Sequence, residues 1–271
     1  MFAWDPALYS RFEDFRFRPA LDLLSQIHHG DPRIVYDLGT GRGDVARLMA
    51  DRWPGADVFG IDTSAEMLEA ARATPSRVLW QEQDVRDWDP PEPPDVIYSN
   101  AMLHWVPAHD DLLLSLLRSL RPGGVLAVQM PLSWHDPSHR LMRETLAAGR
   151  DGQPIGPSEL RSRVGRQPVA PPEHYYRLLR RVPSDVNVWQ TTYFHVLQGE
   201  DGVFDWVRGS ALRPILEALE PADCDVFIDN YREKLRDAYP AASDGTTVYR
   251  FPRLFIVAKV HLATTNLDLP M

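Results

Sequence analysis

The run Tyr36-Asp37-Leu38-Gly39-Thr40-Gly41-Arg42-Gly43-Asp44, followed by Val58-Phe59-Gly60-Ile61 and Asp62, constrains the fold more than any other part of the chain. It reads as a strand ending in a glycine turn, then a helix, then a second strand with a carboxylate at its tip. Glycines in such a turn let a ligand lie against backbone, and a strand-end acid can hold two ribose hydroxyls. Asp62 stands at the separation of roughly 20 residues that this role requires. Two nucleoside cofactors are candidates, a dinucleotide and S-adenosylmethionine, and they imply different reactions. A dinucleotide turn reads G-x-G-x-x-G/A, with a helix N-terminus facing a pyrophosphate. Here Asp44 stands where the third glycine belongs, and a carboxylate there opposes a pyrophosphate. Asp37 is instead placed to meet a cationic or amine-bearing ligand, such as the amino end of a methionine moiety.

The same alternation continues along the first half. Residues 5 to 29 read as helical on the spacing of Leu8, Phe12, Phe15, Leu21, Leu23 and Leu24. Ile34 to Leu38, Val58 to Ile61, Val78 to Trp80, Val96 to Ser99 and Val125 to Met130 read as strands. Helices are expected over Asp44 to Asp51, from a capping box at Thr63-Ser64-Ala65-Glu66 to about Ala73, and over Asp111 to Leu120. Strands separated by helices imply right-handed crossovers and a parallel sheet covered on both faces. Beyond residue 131 the pattern loosens. Residues 131 to 181 look mainly helical, interrupted by a Gly/Pro-bearing stretch from Gly149 to Pro172 expected to be a mobile loop. Val186 to Val196 and Leu254 to Val260 are β-rich, with helical segments between roughly 200 and 240.

At 271 residues and a formal charge of -9, the chain can bury a sizeable core, and its charge argues against a nucleic-acid or anionic-membrane surface. Single Cys224 excludes an intramolecular disulfide and any multi-cysteine metal site, which fits a reducing compartment. No signal-peptide pattern opens the sequence and no apolar run approaches a membrane span, so a cytoplasmic protein is expected. His135 and His139 share i, i+4 spacing without a third ligand nearby, and no metal is expected.

In an open α/β sheet the ligand lies beyond the carboxyl ends of the strands. Four successive strand ends carry suitable residues: Gly39 to Gly43, Asp62, Asp84-Val85, and Asn100 followed by His104 and Trp105. Taken singly, each has an ordinary explanation: Asp84 as a helix cap, Asn100 as a turn residue, Trp105 as core packing. Together they outline one ligand, with Met67 as an apolar wall beside the adenine. The segments D-L-G-T-G-R-G, G-I-D-T-S-A-E-M-L, Q-D-V-R-D-W and L-R-P-G-G-V-L-A-V resemble, in order, the motifs of class I Rossmann-like S-adenosylmethionine-dependent methyltransferases. That resemblance covers about residues 30 to 130. A-W-D-P-A-L-Y, N-A-M-L-H-W-V-P, V-L-A-V-Q-M-P, H-Y-Y-R-L-L, W-Q-T-T-Y-F-H, S-A-L-R-P and F-P-R-L-F-I-V-A are similar to the trans-aconitate methyltransferases over nearly the full length. The stretch from 149 to 172 does not match that pattern.

The resemblance implies one methyltransferase domain over 1–271, with a mostly parallel seven-stranded sheet flanked by helices. An N-terminal helical lid over 1–30 would precede a cofactor-binding core over 31–130. A substrate cap, inserted among the late strands, and the last two strands would fill 131–271. Asp37, Gly39, Thr40, Gly41, Asp62, Thr63, Met67, Asp84, Val85, Asn100 and His104 would bind S-adenosylmethionine and its product S-adenosylhomocysteine. The substrate implied is a small polycarboxylic acid, methylated on one carboxylate. A carboxylate is already ionised at neutral pH, so no catalytic base is expected and positioning dominates. Tyr175, Tyr176, Tyr193, Arg213 and Arg253 are the expected substrate-binding residues, since arginine forks and tyrosine donors suit free carboxylates. Trp4, Tyr9 and Arg18 are expected either to fold over the cofactor or to pack on the sheet. Alternatives are a carboxyl methyltransferase for another small acid or an acyl carrier, a nicotinamide dehydrogenase, which Asp44 disfavours, and a non-catalytic cofactor-binding protein.

Overall fold

The computed structural model describes residues 13–262. Trp4 and Tyr9 lie outside them. After α1 (Glu13–Ser25) come β1 (Ile34–Leu38), α2 (Asp44–Arg52), β2 (Asp57–Asp62), α3 (Ala65–Ala73) and β3 (Leu79–Glu82). Then follow β4 (Val96–Asn100), α4 (Asp110–Ser119), β5 (Val125–Pro131), α5 (Pro137–Ala148), α6 (Ser158–Gly165) and α7 (Pro172–Leu179). β6 (Ser184–Gln198), α8 (Gly202–Arg208), α9 (Arg213–Leu216), α10 (Pro221–Ala238) and β7 (Thr246–Val260) complete the described chain.

The seven strands form one sheet in the order β3-β2-β1-β4-β5-β7-β6. β1 is parallel to β2 and to β4, β2 to β3, and β4 to β5. The strand order therefore reverses at β1, where an open α/β sheet leaves its ligand crevice. β7 runs the other way beside β5: Gly123 N–H donates to Val260 O at 3.0 Å, and Val260 N–H to Gly124 O at 2.9 Å, joining the end of β7 to the start of β5. This is the mostly parallel seven-stranded, helix-flanked sheet that the motif order implies. β1 and β5 are buried along nearly their whole length, as strands covered on both faces must be.

The chain divides into two compact units. One contains Pro19–Met130 and Ala170–Gln190 with residues 254–262, and the other contains Pro131–Val169 and Thr191–Arg253 with residues 13–18. In the first unit, Asp95 anchors the start of the central strands. Its carboxylate accepts from Arg33 and Ile34 N–H at 2.8 and 2.9 Å and meets Arg121 Nε at 3.1 Å. Tyr98, buried on β4, donates to Ala20 O at 2.9 Å and pins α1 to the sheet. In the second unit, Trp206, Phe204, Phe227, Tyr231 and Tyr249 build a separate aromatic core. The first turn of α5 is fastened there by tyrosines. Tyr231 donates to Ser138 O at 2.8 Å, Tyr239 Oη accepts from Ser138 N–H at 3.1 Å, and Tyr249 Oη lies 3.2 Å from Ser138 Oγ.

Three local expectations change. Ser64, not Thr63, caps α3, its hydroxyl accepting from Met67 N–H at 3.2 Å, because Thr63 still belongs to the turn that follows β2. The Gly149 to Pro172 stretch contains α6, which Leu160 and Val164 pack onto the core of its unit. β7 starts at Thr246 rather than Leu254. Pro252, which should break a central ladder, instead uses its carbonyl to accept from Leu132 N–H at 2.9 Å.

Trp80 on β3 packs against the hydrogen-only faces of Gly43 and Gly60. A Cβ at Gly60 would lie 2.5 Å from Trp80 Cε3 and 3.0 Å from Thr40 Oγ1. Gly60→Ala is accordingly expected to destabilise the protein by about 1–3 kcal/mol through overpacking. A denaturation midpoint equal to wild type would contradict this packing.

Candidate active site

β1 delivers Asp37 to the switch point beside Gly60 of β2 and Tyr98 of β4, its register partners. The Asp37 side chain is buried, and Thr40 donates its hydroxyl to Oδ2 at 2.7 Å. Burial pushes the Asp37 carboxyl up to about 7, the Thr40 hydrogen bond opposes that, and the negative charges of Asp62 and Asp44 add to it. A buried acid facing further acids is a site for a cation.

The turn after β1 is closed by internal hydrogen bonds. Gly39 and Thr40 N–H both donate to Ile61 O, at 2.8 and 2.9 Å, Gly41 N–H donates to Asp62 Oδ2 at 2.8 Å, and Gly43 N–H to Thr40 O at 2.9 Å. An anion-binding turn needs those N–H groups aimed at the ligand. Here four of them are turned inward onto Ile61 O, Asp62 Oδ2 and Thr40 O rather than toward a ligand. The glycines act here by lacking side chains, which lets a ligand lie against the backbone. Gly39, Gly41 and Gly43 have φ of 76°, 55° and 80°, and at Gly41 a Cβ would meet nothing within 4 Å. Gly39 has no such room, because Met102 packs directly over it. Asp44 opens α2 and pairs with Arg47 at 2.5 Å, which completes the case against a pyrophosphate.

Asp62, at the tip of β2, is fixed at both oxygens. Oδ2 accepts from Gly41 N–H, and Oδ1 accepts from Ser64 N–H at 2.9 Å, leaving the remaining lone pairs for a diol. Thr63 is exposed and Met67 half-buried beside it. Asn100 ends β4 with its Oδ1 buried and unpartnered, an acceptor awaiting a donor. His104 follows in a 3-10 turn, its ring 4.9 Å from that of Trp105, which is largely exposed rather than part of the core. Asp84 is differently employed. Its carboxylate caps the turn Val85–Asp87 through Arg86 N–H at 2.9 Å and is forked by the Arg86 guanidinium, which lowers it to about 2. That commitment weakens Asp84 as an adenine acceptor. Val85 is buried.

These residues fit S-adenosylmethionine. An unneutralised buried acid suits its ammonium, fixed Asp62 suits its ribose, the open face of Gly41 leaves room for its chain, and the orphaned Asn100 oxygen can take a donor. Comparison with known proteins agrees. A model described as a methyltransferase domain matches residues 11–180. Trans-aconitate 2-methyltransferase from Methylobacterium radiotolerans is 45% identical over 256 residues, covering 94% of this chain and 98% of the relative. The enzyme of the same name from Azoarcus sp. is 44% identical, with 94% and 98% covered. The chain belongs to the trans-aconitate 2-methyltransferase family. As a member of that family it is an S-adenosylmethionine-dependent methyltransferase. The plantazolicin methyltransferase BpumL, solved with S-adenosylhomocysteine and a pentazolic desmethylPZN analogue, shares its fold with a TM-score of 0.53, 16% identity, and 95% and 92% of the two chains covered.

The residues expected to bind substrate are distributed unevenly. Tyr175 is fully buried: its hydroxyl donates to His109 Nε2 at 2.8 Å and accepts from Ala170 N–H at 3.0 Å, with His109 Nδ1 3.2 Å from Val106 O. Burial drives that phenol up to about 12 and the imidazole down, so both stay neutral. Tyr175 therefore fastens α7 to α4 and is withdrawn from the substrate-contacting set. Tyr176 is exposed. Arg213, half-exposed at the start of α9, pairs with Glu217 one turn on at 2.7 Å, a surface ion pair that leaves it outside any clamp in this structure. Tyr193 is buried with the Arg18 guanidinium 5.6 Å from its ring centre. Arg253 is buried at 6% exposure and belongs to a group that includes His139 and Arg143, two residues the sequence reading did not assign to the substrate. Among the described residues no group of three or more His, Cys, Asp or Glu side chains is arranged to hold a metal.

Asp37 was raised from 3.8 to about 7 by folding, so its stabilising contribution is full below pH 4 and is lost as pH rises through 7. The ionised form then costs about 4 kcal/mol. Asp37→Asn should therefore melt above wild type at pH 8, with the difference closing toward pH 4, and should weaken cofactor binding by at least about 30-fold. A variant less stable at pH 8, or one of unchanged affinity, would contradict this role.

Proposed function

We propose that this methyltransferase esterifies one carboxylate of trans-aconitate, giving a monomethyl ester and S-adenosylhomocysteine. The observation that carries the reading is the 45% identity to a trans-aconitate 2-methyltransferase over 94% of this chain, which takes in the second unit as well as the cofactor core. The cofactor supplies an electrophilic methyl on a sulfonium. That methyl would pass to a carboxylate oxygen with S-adenosylhomocysteine as the leaving group, chemistry that asks no proton transfer of the protein.

The chain's own residues have correspondingly modest tasks. Ionised Asp37 holds the ammonium end, Asp62 the ribose, and the side-chain-free face of Gly41 leaves space between them. Reaction joins an anion to a cation, so excluding bulk water favours it, and aligned reactants can recover roughly 7–11 kcal/mol of the barrier. No general base is assigned, since a carboxylate with a pKa of about 4 is already ionised. Substrate recognition is assigned to Arg253 and Tyr193, with Arg18 over the Tyr193 ring. A single free, buried cysteine, Cys224, supports a reducing, cytoplasmic compartment.

Incubation with methyl-labelled cofactor and trans-aconitate, cis-aconitate, citrate or isocitrate should place label preferentially in a trans-aconitate monomethyl ester. With cofactor saturating, kcat should stay level from about pH 6 to 9, there being no base to titrate. Absence of transfer to all four acids would remove the substrate assignment while leaving the cofactor site intact.

A further inference from the structure

A cationic feature lies in the unit that contains α5. Arg143, on α5, donates through Nη1 to His139 O at 2.9 Å and through Nη2 to Trp134 O at 3.0 Å, while its Cζ lies 3.6 Å from the centre of the Trp134 ring. Its partners are two neutral carbonyls and an aromatic face. They fix the guanidinium without cancelling its charge.

The neighbouring acids are spent elsewhere. Glu144 pairs with Arg140 at 2.7 Å and Asp136 with Arg250 at 2.6 Å, and among the described residues no carboxylate is paired with Arg143. Half-buried His139 stands one turn earlier on the same helix. Burial, with the charges of Arg143 and Arg253, pushes its imidazole down to about 4. The two arginine charges that add to this effect of burial also attract an anion. Arg253 is brought to this place by β7: Pro252 O accepts from Leu132 N–H just past the end of β5, and the Arg253 guanidinium lies 4.0 Å from the Phe251 ring centre. The helix start that presents His139 is itself held by the Ser138–tyrosine hydrogen bonds. A guanidinium immobilised before its ligand arrives loses little freedom on binding.

We propose that Arg143, completed by Arg253 and His139, seats a non-reacting carboxylate of the acid substrate. This rests on the polycarboxylate reading above and names the residues that would recognise it. It also separates the task of Arg143 from that of Arg140 three residues earlier, which is exposed and ion-paired. A carboxylate offers two oxygens to the free edges of the fork, a geometry a lysine cannot match.

The test uses the protein loaded with S-adenosylhomocysteine and calorimetric binding of trans-aconitate, alongside steady-state kinetics with S-adenosylmethionine. Arg143→Met is expected to weaken trans-aconitate binding and raise KM by about 10- to 100-fold with a smaller change in kcat, as loss of a charge-assisted contact should. Affinity for the cofactor should be unchanged, which also reports that the variant folds. Arg140→Met should stay within about twofold of wild type, and Arg143→Lys should recover part of the loss. Should Arg143→Met not fold, Arg143→Lys carries the test, with a KM above wild type as the expected result. Wild-type turnover of trans-aconitate with unaltered KM in the Arg143 variants would overturn this seat alone. Wild-type protein that binds no polycarboxylate would overturn both the seat and the substrate reading.

Discussion

The cofactor half of this molecule depends on a carboxylate buried at the end of β1 without a counter-charge. Asp37 is covered by the sheet, it accepts from the Thr40 hydroxyl and from Ala46 N–H, and the negative charges of Asp62 and Asp44 act against its ionised form. Such a group is unfavourable until a cation arrives. The folded protein therefore carries, in its ligand-free form, an electrostatic cost that an ammonium group relieves. Specificity follows from the same fact, since a pyrophosphate would aggravate it.

The surrounding turn is shaped to keep that carboxylate in place. Ser99, buried on β4, donates to Leu38 O at 3.0 Å and fixes the last peptide of β1. Ile61 O gathers two N–H groups of the turn, and Asp62 takes a third. Trp80 and Met102 fill the space that side chains at Gly43, Gly60 and Gly39 would need, leaving Gly41 as the open face. A rigid turn with four of its donors turned inward can recognise a ligand by shape and by Asp37's charge. The other unit uses a similar device for a different purpose. There, three tyrosines fasten the start of α5, and a tryptophan face with two carbonyls immobilises Arg143.

The cofactor core was legible in the sequence because its constraints are local. Glycines at fixed spacing, an acid at each of two strand ends and strong apolar runs leave few alternatives to a parallel sheet covered on both faces, and the family resemblance implied its seven strands. Asp44 in place of a third glycine pointed away from a dinucleotide, and the consumed N–H groups supply the reason in three dimensions. What sequence could not supply was partner choice. Asp84 reads equally as a ligand acceptor or a cap until Arg86 is seen forking it. Tyr175 resembles a substrate contact until His109 and Ala170 N–H are found on its hydroxyl. Arg213 shows its Glu217 only once both lie on one helical face. Arg143 was hidden for the opposite reason. Nothing in W-H-D-P-S-H-R-L-M-R announces which arginine is paired with an acid and which is stacked on an indole. The R-F-P-R segment that begins before Leu254 was likewise obscured, because Pro252 argues against a strand unless its carbonyl is known to be used.

Proton release on cofactor binding is the most direct measurement of the role given to Asp37. Calorimetric titration of S-adenosylmethionine at pH 7, in buffers of different ionisation enthalpy, should show release of roughly half a proton, because an ammonium fixes the ionised form of a group half-protonated at that pH. The release should shrink as pH rises and vanish in Asp37→Asn. Binding heats independent of buffer at pH 7 in the wild-type protein, or net proton uptake, would contradict the claim that a buried, partly protonated Asp37 is what the cofactor's ammonium engages.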